Sequence, residues 1–256
     1  MCKKLLACTL ALALGAWLGL GAVAQAEELT ISAAASLTDA FKELQGVFTK
    51  SHPKVEVRLN FAASNPLLKQ IQEGAPVDVF ATADQATMDK AAASGNIDPA
   101  SRRNFARNEL VLIVPKGARA VPREVKDLLD PAYKRIAVGA PASVPAGRYA
   151  RQALETAGLY EKLQKKYING ESVRQVLDYV ARDEVDAGFV YTTDAFKARD
   201  KVDIALTMSG HTPVEYPVAV ISTSRNTGAA RAFVELLLGA EGQKVLAKYG
   251  FQPAGN

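Results

Sequence analysis

Cysteine is almost missing from this chain. Two of its 256 residues are cysteines, Cys2 and Cys8, so nothing beyond residue 8 can form a disulfide or offer a thiolate. Histidine is as scarce, with His52 and His211 alone. His52 stands before Pro53 and His211 after Gly210, positions that read as exposed loops. A metal site or an activated serine therefore has few candidate partners, and no Gly-x-Ser-x-Gly elbow occurs. Neither sign of charge is in excess. The formal net charge is +4, and setting aside Lys3 and Lys4 leaves 29 basic against 27 acidic residues. That balance argues against nucleic acid as a partner and gives no strong field for steering anions. The single tryptophan, Trp17, lies near the start, and the remaining aromatics form no stacking platform for nucleic acid. Internal repeats and low-complexity linkers are missing too.

The first 26 residues read as an export leader and not as fold. Lys3 and Lys4 are a short basic region, an apolar run extends from Leu5 to about Val23, and Ala24-Gln25-Ala26 fits a small-x-small cleavage site. The apolar run could just span a bilayer, but a cleavage site follows directly and Glu27-Glu28 opens ordinary soluble composition. Leu5-Leu6-Ala7-Cys8 superficially resembles a lipid-attachment box, yet no apolar region precedes it, so lipidation is rejected. Residues 27–256 then carry no cysteine, and at that length a chain can bury a sufficient core without disulfides. Export permits disulfides but does not require them.

From Leu29 onward, short β-rich runs alternate with helical patterns. Strands are predicted at 29–35, 55–61 and 77–81, with helices at 37–50 and 67–73 between them. A second series begins after Asn108, with strands at 110–114, 135–138, 187–190 and 202–206 and helices at about 146–158 and 173–182. An extended run at 214–222 and helices at about 227–238 and 240–249 close the chain. The alternation predicts parallel sheets covered by helices. Two such series without a flexible joiner suggest two lobes linked by continuous strands, with Leu110–Val114 and Tyr216–Ile221 as crossovers. A ligand would lie in the cleft where strand ends meet helix starts.

Four helix starts carry the candidate chemistry. Ser36 fits an N-cap with Asp39 at the third helical position of a capping box. Pro66 suits a first turn with Ser64 or Asn65 as cap, Pro145 suits another, and Ser172 caps a helix opening at Val173. Helix N-termini present unpaired N–H groups and partial positive charge. Several aimed at one point hold an anion without lysine or arginine. Each serine alone reads as a cap for its own helix; the functional reading needs them together. Arg148 and Arg174, one turn inside two of these helices, read as solvent-facing. Asp78 and Asp84 read as structural hydrogen-bonding groups, since no histidine or cysteine clusters with them.

Taken in order, the motifs resemble those of the periplasmic molybdate-binding proteins. Ala-Ala-Ala-Ser-Leu at 33–37, Gly-Ala-Pro-Val-Asp-Val-Phe at 74–80, Ala83-Asp84-Gln85, Ala137-Val-Gly and Val144-Pro-Ala-Gly147 carry the resemblance. So do Ser172-Val-Arg174, Gly188-Phe-Val-Tyr191, Val214-Glu-Tyr-Pro-Val218 and Lys248-Tyr-Gly-Phe251. The resemblance spans essentially all of the chain after the leader. It implies a class II periplasmic binding protein fold, α/β and two-lobed, each lobe a mainly parallel sheet flanked by helices, with two strand crossovers as hinge. Residues 27–108 plus 218–256 would form one lobe and 109–217 the other. Molybdate, or the nearly isosteric tungstate, would be bound by Ser36 and Ser64 in the first lobe and by the amides of Ala146 and Val173 and the Tyr191 hydroxyl in the second. Molybdenum would be reached only through its oxygens, with no direct metal ligand and no cofactor. The implied setting is the periplasm, with an ABC permease and its ATPase as partners and a monomeric, non-enzymatic protein. The chain departs from the pattern at Asn65-Pro66, where relatives often carry small hydroxyl residues; Pro66 has no N–H to give.

Donor-only chemistry suits such a ligand. A tetrahedral dianion without a proton can only accept hydrogen bonds, and Ser, Tyr and backbone N–H can all donate. Phosphate keeps a proton near neutral pH, and a site without a carboxylate gives that proton no acceptor. Sulfate is not excluded this way and stays as the alternative ligand. A dehydratase-like enzyme on the same fold is the alternative activity. A regulator's effector domain would need a DNA-binding helix pair where the leader stands.

Overall fold

The computed structural model describes residues 27–255. The leader, with Cys2, Cys8 and Trp17, lies outside the described residues. The first βα series is β1 (Glu27–Ala34), α1 (Thr38–Ser51), β2 (Val55–Ala62), α2 (Ser64–Gln72), β3 (Val79–Ala81), α3 (Gln85–Ala93) and β4 (Arg103–Asn108). The second is β5 (Leu110–Pro115), β6 (Ile136–Gly139), α4 (Pro145–Thr156), β7 (Tyr167–Gly170), α5 (Val173–Ala181), β8 (Ala187–Tyr191), α6 (Thr192–Lys197) and β9 (Val202–Thr207). The chain ends with β10 (Val214–Val220), α7 (Thr227–Leu238), α8 (Ala240–Lys248) and β11 (Gln252–Pro253).

Two sheets result. A six-stranded sheet runs β11-β4-β10-β3-β1-β2, and a five-stranded sheet runs β7-β6-β8-β5-β9. Each sheet keeps a parallel core, as expected, and adds antiparallel partners, so both are mixed. β2, β1 and β3 are parallel, as are β7, β6 and β8, because a helix between two strands returns the chain to the same end. β10 and β4 run antiparallel in the first sheet, and β5 runs antiparallel to β8 and β9 in the second. β5 and β10 follow the passages between sheets, so no returning helix dictates their direction, whereas β4 follows α3 and keeps the direction of β3. The passages also differ from the expected ones. Glu109 alone separates β4 from β5, and the return runs through 208–213. β10 then pairs within the first sheet from Val214 onward, so Tyr216–Ile221 is not itself the crossing segment.

Apolar periodicity sets the helix faces. Phe41, Leu44 and Phe48 of α1 are fully buried at three- and four-residue spacing, and Val173, Val176, Leu177 and Val180 do the same for α5. A single apolar cluster runs through both sheets. A smaller one, around Phe80 and Met88, lies between α2, α3 and the first sheet. Both histidines are half-buried, not exposed: His52 stacks on Phe48 at 4.1 Å and His211 packs on Tyr149 at 5.6 Å. Among the described residues no helix is long and apolar enough to cross a membrane.

Candidate oxyanion-binding site

Parallel strands of both sheets end at one place. β1 ends at Ala34, β2 at Ala62, β6 at Gly139 and β7 at Gly170, and each leads into the first turn of a helix. β8 ends in the same region with Tyr191. The structure brings all five candidate residues together: Ser36, Ser64, Ala146, Val173 and Tyr191 line one small cavity between the sheets, with Ala35, Ala83 and Pro145 beside them. The centre of a water molecule can range over about 10 Å3 there. That is about one water-sized sphere, so the five groups already face one another across a small space.

The hydrogen bonds around the cavity differ from simple capping. Ser36 lies in a 3-10 turn, Ala35–Leu37, and the residue before α1 is Leu37, with no side-chain cap. The Ser36 hydroxyl instead meets Tyr216 OH at 3.0 Å. Ser64 is the first residue of α2, not its cap. Its Oγ accepts the Ala83 N–H at 3.1 Å. A backbone N–H can only donate, so the Ser64 proton is left for another acceptor. Ser172 does cap α5, accepting from the Gln175 N–H at 3.2 Å, and this leaves the Val173 N–H of the first turn without a partner in its own helix. α4 opens with Pro145 and has no side-chain cap, so the Ala146 N–H is likewise without a partner in its own helix. Tyr191 is the strongest signal. It is 1% exposed and its hydroxyl has no hydrogen-bond partner among the described residues. Burial pushes this phenol well above its ordinary value of 10, so it keeps its proton and stays a donor. An unmet buried hydroxyl costs about 1–3 kcal/mol and calls for an explanation.

Arg148 and Arg174 are not solvent-facing, which corrects the sequence reading. Arg148, on α4, is held by the Asp84 carboxylate across the cleft through Nη2 and through Nε at 2.9 Å. Asp84 also caps α3 by accepting the Thr87 N–H. Arg174, on α5, lies 2.8 Å from Asp39 of α1 and 2.7 Å from Asp194 of α6, and its Nη2 donates to the Ser36 carbonyl at 3.2 Å. The Nε and Nη1 approaches are ion contacts rather than well-aligned hydrogen bonds, since Nε, Asp194 Oδ1 and Asp39 Oδ2 lack bonded geometry. Burial pushes Asp194 up against the pull of Arg174. Burial would also raise Asp39, but Lys197 and Arg174 bring it below 3.8. Asn65 bridges the sheets as well, donating to the Ala142 carbonyl at 2.7 Å. The departure at Asn65-Pro66 thus supplies a contact across the cleft. Sequence reasoning missed these pairs because their partners lie from 20 to 138 residues apart, beyond any local pattern. Asp78 is structural, accepting from the Thr30 N–H at 2.8 Å and the Ser224 hydroxyl at 2.7 Å.

The site therefore offers two hydroxyls, two first-turn amides and a phenol, with the nearby arginines already neutralised by carboxylates. Among the described residues, no group of three or more His, Cys, Asp or Glu could hold a metal ion. The pattern that describes bacterial extracellular solute-binding proteins matches residues 29–252. The chain belongs to that family. A molybdate-binding protein of Escherichia coli, ModA, is 37% identical over 237 residues, covering 90% of this chain and 91% of the relative. The ModA of Haemophilus influenzae is 35% identical, covering 91% and 93%. The periplasmic molybdate-binding protein of Azotobacter vinelandii superposes with a TM-score of 0.78 over 89% of this chain and all of the other, at 23% identity, which speaks for the fold alone.

Proposed function

We propose that this solute-binding protein captures molybdate, and tungstate with it, in the periplasm and hands it to an ABC permease driven by its ATPase. The observation that carries the reading is the buried, unpartnered Tyr191 hydroxyl, aimed into a cavity whose other polar groups are the Ser36 and Ser64 hydroxyls and the Ala146 and Val173 amides. Every one of these groups can donate, which suits a dianion that only accepts. The molybdate-binding relatives, above 30% identity over most of the chain, support the same ligand. Hydrogen bonds to a charged partner contribute roughly 1.5–3 kcal/mol each. Five together supply about 7.5–15 kcal/mol, the scale of the roughly 8–12 kcal/mol of micromolar to nanomolar binding, and dehydrating a dianion draws on that sum. Asp84 is engaged by Arg148, which leaves no free cleft carboxylate there for a dehydratase-type reaction and favours a binding role without catalysis.

The lobes, 27–108 plus 218–256 and 109–217, would close on the ligand by a hinge, since the five groups come from both. Residues 1–26 would be removed on export, leaving a monomer that begins at Glu27. A thermal-shift panel of the mature protein against molybdate, tungstate, sulfate, phosphate and amino acids tests the assignment. Molybdate and tungstate are expected to raise Tm by mass action. A shift with sulfate alone would replace the ligand, and no shift with any oxyanion would sink the reading. Ser36→Ala and Tyr191→Phe are each expected to weaken molybdate binding about ten-fold by calorimetry. Unchanged affinity in both would move the site elsewhere.

A further inference from the structure

Ser36 is tied to a buried chain of polar groups that the oxyanion site does not itself use. Asn108, the last residue of β4, begins the chain. One end of its amide lies 2.9 Å from the Glu109 N–H, which can only donate, so that end is the oxygen. The other end is the NH2 group, and it donates to Thr193 Oγ1 at 2.9 Å and to Tyr216 OH at 3.3 Å. Tyr216 is fully buried, its ring packed edge-on against Phe105, Tyr191 and Phe251. Its oxygen already accepts from Asn108. Among the described residues its own proton has one oxygen in reach, Ser36 Oγ at 3.0 Å.

We infer that Asn108 and Tyr216 are positioning residues that fix the Ser36 hydroxyl as a donor to the bound anion, and so make the site selective for anions that carry no proton. The inference rests on the oxyanion reading of the site. The direction of each bond follows from the one before it. Asn108 NH2 cannot accept, so Tyr216 O accepts. Were Ser36 to donate to Tyr216, the Tyr216 proton would be buried without a partner, at about 1–3 kcal/mol. Tyr216 therefore donates to Ser36, and Ser36 turns its proton to the cavity. Burial, with the Asp194 charge nearby, pushes the Tyr216 phenol well above 10, so the proton it gives is always present. Ser64 reaches the same state by accepting from Ala83. Two hydroxyls that could each accept or donate are thus both set to donate. A monoprotonated anion such as hydrogen phosphate then finds no acceptor for its proton. With the relay cut, the Ser36 hydroxyl can rotate and accept, and that barrier falls.

The test is a double-mutant cycle on the mature protein, with calorimetric titration of molybdate, sulfate and phosphate at neutral pH. Tyr216→Phe keeps the ring and its packing and removes the relay. It is expected to weaken molybdate binding about five- to ten-fold and to leave phosphate binding unchanged or stronger, narrowing the ratio between them. In a Ser36→Ala background the same substitution is expected to have no further effect, because the residue acts only through Ser36. An undiminished loss in that background would mean that Tyr216 acts through packing, and the relay would be overturned. Wild-type affinity in Tyr216→Phe would overturn it too. Asn108→Asp is the second variant: a carboxylate at that end accepts the Tyr216 proton, so Ser36 is no longer held as an acceptor and its own proton is free to turn to the Tyr216 oxygen. Its molybdate loss should exceed that of Tyr216→Phe, and any charge effect is what persists in the Ser36→Ala background. A wild-type protein that binds phosphate but neither molybdate nor sulfate fails both proposals. One that binds molybdate while the cycle is additive fails the relay alone.

Discussion

Arg174→Met is expected to lower the stability of the mature protein by about 3–5 kcal/mol and to weaken ligand binding by more than ten-fold. Methionine keeps much of the stem and removes the charge. Asp194, with no exposed side-chain surface, then loses the ion contact at 2.7 Å, and a buried charge stripped of its partner costs about that much. The loss reaches the cavity directly, because Asp194 Oδ2 accepts the Tyr191 N–H at 3.2 Å and so helps to place the phenol. The contacts of Arg174 with Asp39 and the Ser36 carbonyl disappear as well, and both belong to the first sheet's side of the cleft. A pH signature separates this from simple loss of packing. Burial already raises Asp194 above 3.8, and without Arg174 nothing of like strength opposes it. An acid whose pKa is higher in the folded state binds protons more tightly there, so stability falls as pH rises through that window. The deficit should be largest at neutral pH and shrink as pH approaches 4. Urea melts of both proteins at pH 4.5 and pH 7 check it. A deficit below about 1 kcal/mol, the range of surface ion pairs, or one independent of pH, would refute the account.

What the sequence revealed and what it hid divide along the range of the interactions. The βα alternation, the paired C-terminal helices and the Pro145 and Ser172 helix starts were legible because each depends on neighbours within a few residues. β4 was not recognised: Arg103-Asn-Phe-Ala-Arg-Asn108 has little apolar alternation, and the strand forms because β10 pairs beside it. The candidate site residues stand out only as a set, through the family resemblance, and the cap expected of Ser36 and of Ser64 or Asn65 does not form. The partners of Ser36 and Ser64, Tyr216 and Ala83, are 180 and 19 residues away, and no local pattern announces them. Arg148 and Arg174 look like ordinary exposed helix residues until Asp84, Asp39 and Asp194 are brought up to them. Tyr216, inside the apolar run of β10, reads as core, which it also is. These long-range groups share one consequence. The charged ones neutralise each other around the cavity and leave hydroxyl and N–H groups facing it, the donor set on which the proposed anion binding rests.

Gly147→Ala is expected to weaken ligand binding about a hundred-fold, a loss equal to about two charge-assisted hydrogen bonds. A β-carbon at this position would stand 1.8 Å from the Gly139 carbonyl oxygen and 2.5 Å from its carbon. Both neighbours are backbone, so no side chain can swing aside. The first turn of α4 would have to withdraw from the end of β6 by well over an ångström to restore ordinary contact. Ala146, one residue earlier in that turn, would carry its N–H with it, and a binding site tolerates only about 0.5 Å of such error. Helix propensity pulls the other way: alanine in place of glycine normally favours a helix by about 0.5–1 kcal/mol. Gly46, within α1, gives the control, because a β-carbon there meets nothing within 4 Å. Gly46→Ala should raise Tm and leave affinity unchanged, while Gly147→Ala should lower both. Thermal melts and calorimetric titrations of the two variants decide the matter. If Gly147→Ala were stabilising and bound normally, α4 would not be held against β6 by close backbone approach, and the placement of the Ala146 amide would need another cause.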